Sequence, residues 1–405
     1  MTRPTDAPAP HAAAAANAPE RRSRIRTNLA RLEPPHRIAG VDLARGLAVI
    51  GVFAAHLAVI ETLEWSDPGT WSGVVEGRSS VLFAMLAGVS LGIVSTSAKR
   101  RREVRGPGTT RPLWGLRVQL LLRGILMWLL GIWLDDLDVP VYVILPAYGV
   151  LFVLAIPFTS LAPRYLFTLS AALALIAPFA VWWINSTVAA SPNAFDIDES
   201  LRLIAWNYPI PFWMAFMFCG MAAGTLLVRS VRYAWALLGA GIVLAVVGYG
   251  VIGSAVRAAA GPDEIEHAAL GTPEWWFAVW QDAPHSSGIG EALGSGGFAL
   301  AVTSAAVLLC LTPLRWIALP LRAVGSMPLT AYVTHIGIWA IWLAVETARD
   351  PNWDPWLDFR ALDPFWPMTL WVIAGCTLWA LLFKQGPLEW VLGKVTKAPR
   401  QWDRV

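Results

Sequence analysis

Ten stretches of this chain are apolar and about as long as a bilayer is thick: 39–60, 74–96, 113–134, 139–158, 165–185, 209–228, 233–252, 291–311, 323–346 and 365–384. A helix needs about 20 mostly apolar residues to cross a hydrocarbon core of about 30 Å. Lipid offers backbone N–H and C=O groups no water, so a spanning segment closes its own hydrogen bonds, and a helix does so within one segment. The pattern predicts an all-α, polytopic membrane bundle of about ten transmembrane helices. Pro146 and Pro211 fall inside two of the segments, which membrane helices tolerate when neighbours satisfy the freed backbone. Composition agrees: only 15% of the 405 residues are charged, against about 25% in soluble domains. Trp65, Trp71, Trp133, Trp206, Trp275, Trp276, Trp353 and Trp356 lie near the ends of the runs, as an interfacial aromatic belt requires.

Charge alternates between the connections. Basic residues gather in the N-terminal stretch (Arg21, Arg22, Arg24, Arg26), the loop Lys99–Arg111, the links at Arg164, Arg229/Arg232 and Arg315/Arg322, and after Lys384. The other connections are acidic: Glu61, Glu64, Asp67; Asp135, Asp136, Asp138; Asp196, Asp198, Glu199; Asp263, Glu264, Glu266; and Asp350, Asp354, Asp358. The positive-inside rule therefore places both termini in the cytoplasm, as an even number of crossings demands. Residues 1–38, rich in Ala, Pro and Arg, read as a disordered basic cytoplasmic tail. Residues 39–384 read as one bundle, and 385–405 as a cytoplasmic C-terminal tail. Cys219, Cys310 and Cys376 all fall within apolar segments and offer neither a disulfide pattern nor metal-ligand spacing.

The first segment, AGVDLARGLAVIGVFAAHLAVI, carries Asp42, Arg45 and His56. Ionisable groups at membrane depth are costly and usually line a cavity or a substrate route. Arg45 and His56 stand eleven residues apart, so they share one helix face about 16 Å apart along the axis. Arg45 is suited to a forked grip on phosphate or carboxylate. His56 is suited to general base or transient acyl acceptor. The structural alternative is an internal network, with Asp42 neutralising Arg45 and His56 bonded to a neighbouring helix.

Three further groups qualify. Glu76, Arg78, Ser79 and Ser80 stand at the outer mouth of the second segment, where Gly88, Ser90 and Gly92 also permit close helix approach. The outer-loop run Asp282-Ala-Pro-His285-Ser286-Ser287-Gly288 could bind or deprotonate an acceptor, or be a surface turn. Within SMPLTAYVTHIGIW, Tyr332 and His335 could contact substrate or make a helix–helix hydrogen bond. There is no Walker loop, zinc-type His-Glu spacing, Gly-x-Ser-x-Gly elbow or nucleic-acid module, so no metal and no nucleic-acid partner is expected.

The run RIAGVDLARGLA followed by His56 resembles the first helix of the transmembrane acyltransferase superfamily. GRSSVLFAMLAGVSLGI, PHSSGIGEALGSGGFALAV, GSMPLTAYVTHI and KQGPLEWVLGK are similar to successive blocks of one branch. That branch holds the heparan-alpha-glucosaminide N-acetyltransferase catalytic domains and the bacterial proteins of domain of unknown function 418. The Arg-x10-His spacing resembles that of acyltransferase family 3, where it is implicated in transfer. The glucosaminide acetyltransferases place their catalytic His in a luminal loop after the first helix. This chain has no His between Leu57 and Ser72, and His56 takes the family 3 position.

The resemblance implies a multi-pass acyltransferase of the bacterial plasma (inner) membrane. Its donor would be acetyl-CoA or another acyl-CoA on the cytosolic side, and its acceptor an extracytoplasmic glycan, glycolipid or small molecule. His56, Arg45 and Asp42 would be catalytic, with Glu76, Arg78, Ser79, Ser80, His285, Ser286, Tyr332 and His335 around the substrates. A homodimer remains open. Two other readings stand beside it: a transporter or exporter of a small solute or lipid-linked molecule, and a non-catalytic membrane scaffold.

Overall fold

The computed structural model describes residues 27, 30, 38–64, 67–105, 114–191, 206–261, 264–265, 268–383 and 385–396, with the backbone alone for 101–105. Most of the N-terminal basic stretch, residues 106–111 of the 99–111 loop, Trp65, the acidic group at 196–199, Asp263, Glu266, Lys384 and residues 397–405 lie outside these. All regular structure among the described residues is helical. Among the described residues, nine helices are long and apolar enough to cross a membrane.

In chain order the helices are α1 (Ala39–Leu57), α2 (Arg78–Arg105), α3 (Trp114–Asp135), α4 (Leu145–Ala155), α5 (Pro163–Ala189), α6 (Ile210–Leu227) and α7 (Val231–Ala245). They continue with α8 (Ser254–Ala259), α9 (Pro273–Trp280), α10 (Ile289–Leu309), α11 (Leu319–Ser326), α12 (Pro328–Arg349), α13 (Leu357–Ala361), α14 (Phe365–Leu382) and α15 (Pro387–Thr396). A π-helical stretch, Val246–Gly253, joins α7 to α8 into one span. The predicted segment 139–158 is the shorter apolar unit Leu145–Ser160. It is entered by a non-helical run that buries Val139, Val143 and Ile144. Such backbone is tolerated at membrane depth only when protein covers it, and the Tyr332 hydroxyl accepts from the Ile144 N–H at 3.3 Å.

Burial separates centre from rim. In α1 and α6, 67% of the spanning window is buried, and in α10 61%, against 22% in α5 and in the α7–α8 span. The rim helices turn Ile176, Trp183, Trp235, Ile242 and Val243 outward, as a lipid-facing surface should. Lipid tails give helices no apolar incentive to associate, so contact depends on close packing. On α2, Gly88 and Gly92 meet the Met217 and Met221 backbone of α6, while Gly220 and Gly224 of α6 meet Met85 and Val89 of α2. Any larger side chain at these positions would strike main chain. α1 is gripped the same way by α11, where Gly46 faces Leu321 and Gly325 faces Asp42.

The segment 323–346, expected as one helix, is two. α11 ends at Ser326, Met327 is non-helical, and Pro328 opens α12. The residue before a proline is pushed out of the helical region, and Pro328 lacks the N–H a continuous helix would use. Glu389 of α15 fills the gap by accepting from the Leu329 and Thr330 N–H groups at 2.8 and 3.0 Å, and from the Thr330 hydroxyl at 2.5 Å. Arg322, expected in a basic surface link, is 1% exposed in α11 and donates to the Arg315 carbonyl. Its α11 backbone packs against α1, which draws the residue inside.

Candidate active site

Two polar sites lie on α1, one near each end, and both face neighbouring helices. Near the basic end of the bundle, Arg45 donates to Asp42 Oδ1 at 2.9 Å and to Ser90 Oγ on α2 at 2.7 Å. Ser90 in turn donates to the Leu86 carbonyl at 2.6 Å. The Asp42 side chain is 3% exposed and that of Arg45 25%. A buried carboxylate is tolerable only when paired, and the (i, i+3) spacing puts its partner one turn along the same face.

Near the acidic end, His56 Nδ1 lies 3.0 Å from His335 Nε2 of α12. His335 is fully buried, its ring 4.3 Å from Phe53 and 5.1 Å from Tyr332 by centroids. His56 is half-buried, and among the described residues nothing hydrogen-bonds its Nε2. The helix carrying it is tied down just past the ring. Arg360 of α13 donates to the carbonyls of Ala55 at 3.0 Å and His56 at 3.2 Å. This satisfies two C-terminal carbonyls that α1 leaves open and sets a cation against the negative end of its dipole. Arg360 also stacks 3.5 Å over Trp356, while Phe359 stacks on Trp339.

The run Asp282–Gly288 is a built loop and no plain turn. Arg257 grips both Asp282 oxygens at 2.5 Å. At the other end the buried Glu291 accepts from the backbone N–H of His285 at 2.8 Å and of Ser287 at 2.7 Å, and from the Ser286 hydroxyl at 3.4 Å. Trp182 donates to the Ser286 carbonyl at 3.0 Å. His285 and Ser287 have φ of 61° and 57°, a left-handed conformation that non-glycine residues hold only under external restraint. Glu291 provides that restraint. The loop seats Pro284 on Gly77, whose own φ is +65°.

His285 is held in this way close enough to His56 to interact with it electrostatically, as is Arg360. Tyr208 lies edge-on to the His285 ring at 6.4 Å. His285 is exposed at the surface, and partial desolvation by the surrounding loop lowers its pKa below the ordinary 6.5. Tyr208, just before α6, is pushed up by burial and by Tyr142.

The expected outer-mouth donors divide. Arg78 is buried, donates to the Gly73 carbonyl at 3.2 Å and lies 4.5 Å over the Tyr249 ring, so it is not an open mouth group. Tyr249 comes from the π-helical stretch and pairs its hydroxyl with Ser295 at 2.6 Å. Ser79 is buried against Gly51 of α1, and the Ser80 carbonyl accepts from Tyr148 at 3.3 Å. Glu76 is exposed and faces Arg360 electrostatically. Tyr332 reaches both Ile144 and the histidine pair. Among the described residues, no group of three or more His, Cys, Asp or Glu could hold a metal ion.

A family model for the heparan-alpha-glucosaminide N-acetyltransferase catalytic domain matches residues 37–252, just over half of the chain. The chain belongs to this family. It is a multi-pass membrane protein of acetyltransferase type. The matched region holds Asp42, Arg45, His56 and Glu76–Ser80, whereas His285, Tyr332 and His335 lie beyond it. No curated protein matches the chain.

Sequence reasoning missed Glu291, Arg322 and Arg360. Glu291 had a signal, being a lone carboxylate at the very start of an apolar run. Arg360 had none, since its role depends on the short helix α13 packing back onto the end of a helix 304 residues away.

Proposed function

We propose that this family member moves an acyl group, most simply acetyl from acetyl-CoA, to an acceptor hydroxyl or amine on the opposite side of the membrane, with His56 as the reacting group. The observation that carries this is His56 itself. One ring nitrogen is held by a buried side chain, and the other has no hydrogen bond among the described residues, in a half-buried ring at the end of a membrane-spanning helix. That is the arrangement an imidazole base or nucleophile needs.

In direct transfer His56 Nε2 takes the acceptor's proton as its oxygen or nitrogen bonds to the thioester carbon, the C–S bond breaks, and the CoA thiolate leaves and is protonated from the imidazolium. In the relay, Nε2 attacks that carbon itself, an N–C bond forms, the C–S bond breaks and CoA leaves as thiolate. The acceptor then attacks the acyl carbon, the N–C bond breaks to restore the ring, and the acceptor's proton passes to the thiolate. His285, on its restrained loop, faces the acceptor side with Tyr332. Arg45 serves the donor side, fixed by Asp42 and Ser90 while part of its side chain remains accessible. Under the charge bias of the loops, the Arg45 end faces the cytosol and the His56 end faces outward, in a bacterial plasma membrane.

The test is purified protein in nanodiscs with radiolabelled acetyl-CoA, measuring CoA release and label retained on the protein. Label on wild type and none on His56→Ala supports the relay; turnover without label supports direct transfer. Full activity in His56→Ala removes His56 from the mechanism. An unchanged donor affinity in Arg45→Ala removes Arg45 from the donor site.

A further inference from the structure

The histidine pair contains a constraint on which nitrogen of His56 is available. Between two neutral imidazoles, a hydrogen bond needs one N–H and one lone pair. The contact joins His56 Nδ1 to His335 Nε2 at 3.0 Å, so two arrangements satisfy it. In one, His56 carries its proton on Nδ1 and donates. In the other, His335 carries its proton on Nε2 and donates.

The surroundings of His335 choose between them. Its Nδ1 is buried and has no well-formed hydrogen bond. The carbonyl oxygens of Ala331 and Tyr332, one turn and less back along α12, lie near the ring, and because Nε2 is turned to His56, Nδ1 is the nitrogen left on the side of this backbone. Carbonyls only accept. A lone pair on Nδ1 would face further lone pairs in a site closed to water, whereas an N–H there faces an acceptor even at imperfect alignment. Burial sharpens the preference, because a mismatched polar contact costs more where water cannot repair it.

We infer that His335 is a positioning residue: the α12 backbone fixes its proton on Nδ1, its Nε2 accepts from His56 Nδ1–H, and the lone pair of His56 is therefore directed to Nε2. This deepens the reading of His56 as the reacting group and rests on it for its catalytic meaning. When Nε2 gains a proton, the resulting imidazolium keeps its Nδ1–H on a neutral acceptor, and the ring does not turn during turnover. A second imidazole does here what a carboxylate or carbonyl does for other functional histidines. A neutral orienting partner suits a site at membrane depth, where a carboxylate would itself need compensation.

The chain has six histidines, so selective labelling is practical. Full-length protein with 15N-histidine in nanodiscs should show His56 as the Nδ1–H tautomer, assigned by comparison with His56→Ala. In His335→Phe the His56 signals should move to the Nε2–H or a mixed form. CoA release from acetyl-CoA, with glucosamine as probe acceptor, should fall about 100-fold or more, the scale on which a misplaced imidazole proton is felt. His335→Gln, whose side-chain oxygen can accept from Nδ1–H, should restore part of the Nδ1–H signal and of the turnover. If His335→Phe does not fold, this variant carries the comparison with wild type.

An Nε2–H tautomer in wild type, or a His56 signal unmoved by the His335 variants, overturns the inference. The outcomes separate from those of the functional reading. A fully active His56→Ala protein would end the catalytic role of His56, while the nitrogen signals would still report which way its proton points.

Discussion

The two ends of α1 handle ionisable groups in opposite ways. Near the basic end, Arg45 is a permanent cation matched to Asp42 and braced by Ser90, a charge held where it is. Near the acidic end, His56 meets another imidazole, and Arg360 contacts its backbone and not its ring. The first arrangement is stable because opposite charges are both present. The second pairs two imidazoles and, among the described residues, leaves one nitrogen without a hydrogen bond, a poor way to stabilise a fold and a good way to move a proton. A helix built only to brace the bundle would not need this asymmetry.

The sharpest way to break the contrast is His56→Ala. Loss of a general base or nucleophile should lower transfer about 10²- to 10⁴-fold, while stability falls by about 1–3 kcal/mol because the buried His335 Nε2 loses its partner. A variant that loses stability and keeps activity would reverse the roles of the two ends. Asp42→Ala tests the other end. It removes the carboxylate opposite a guanidinium that stays bonded to Ser90 and is 25% exposed, and should cost about 1–3 kcal/mol, visible as an early unfolding transition. If Asp42→Ala unfolds like wild type, the pair is not what holds that end.

Glu291→Gln extends the contrast to the loop facing His56. The amide offers one acceptor oxygen where the carboxylate serves two backbone N–H groups, so about 1–3 kcal/mol should be lost. Turnover should fall through a higher KM for acceptor, since His285 is displaced while His56 is untouched. An unchanged KM would detach the loop from the acceptor side.

The smallest expected effect is on pH dependence. The folded pKa of His285 lies below its ordinary value, so the unfolded chain binds more protons, and stability is lost as pH falls below about 6.5 towards the folded value. His285→Asn, which tolerates the left-handed conformation, should flatten that acid-side decline in thermal midpoint. The same slope in wild type and variant would assign the decline to another group.

How much of this was legible before folding varies residue by residue. Asp42 and Arg45 are three apart on one helix, so their pairing follows from periodicity alone. The small residues Gly88 and Gly92 announced a close helix contact, though not that α6 would supply it. His56 was conspicuous as an imidazole in an apolar run, and His335 likewise, but 279 residues separate them and no local rule joins the two. Arg322 read as a topology signal because basic residues at apolar ends usually are; only the packing of α11 on α1 drew it inside. The strained backbone at His285 and Ser287 was invisible because neither is glycine, and its cause, Glu291, acts only once the loop has closed.

The sequence by itself determined the solvent, the helical class and which residues carry cost at membrane depth, because apolar length, backbone satisfaction and side-chain charge are local properties. The tertiary structure alone decided that His56 would face His335, that Arg360 would close the end of α1, and that Glu291 would hold a histidine loop in place. Those are meetings between distant segments. Their geometry comes from how small-residue faces let helices approach, and no single segment contains that information.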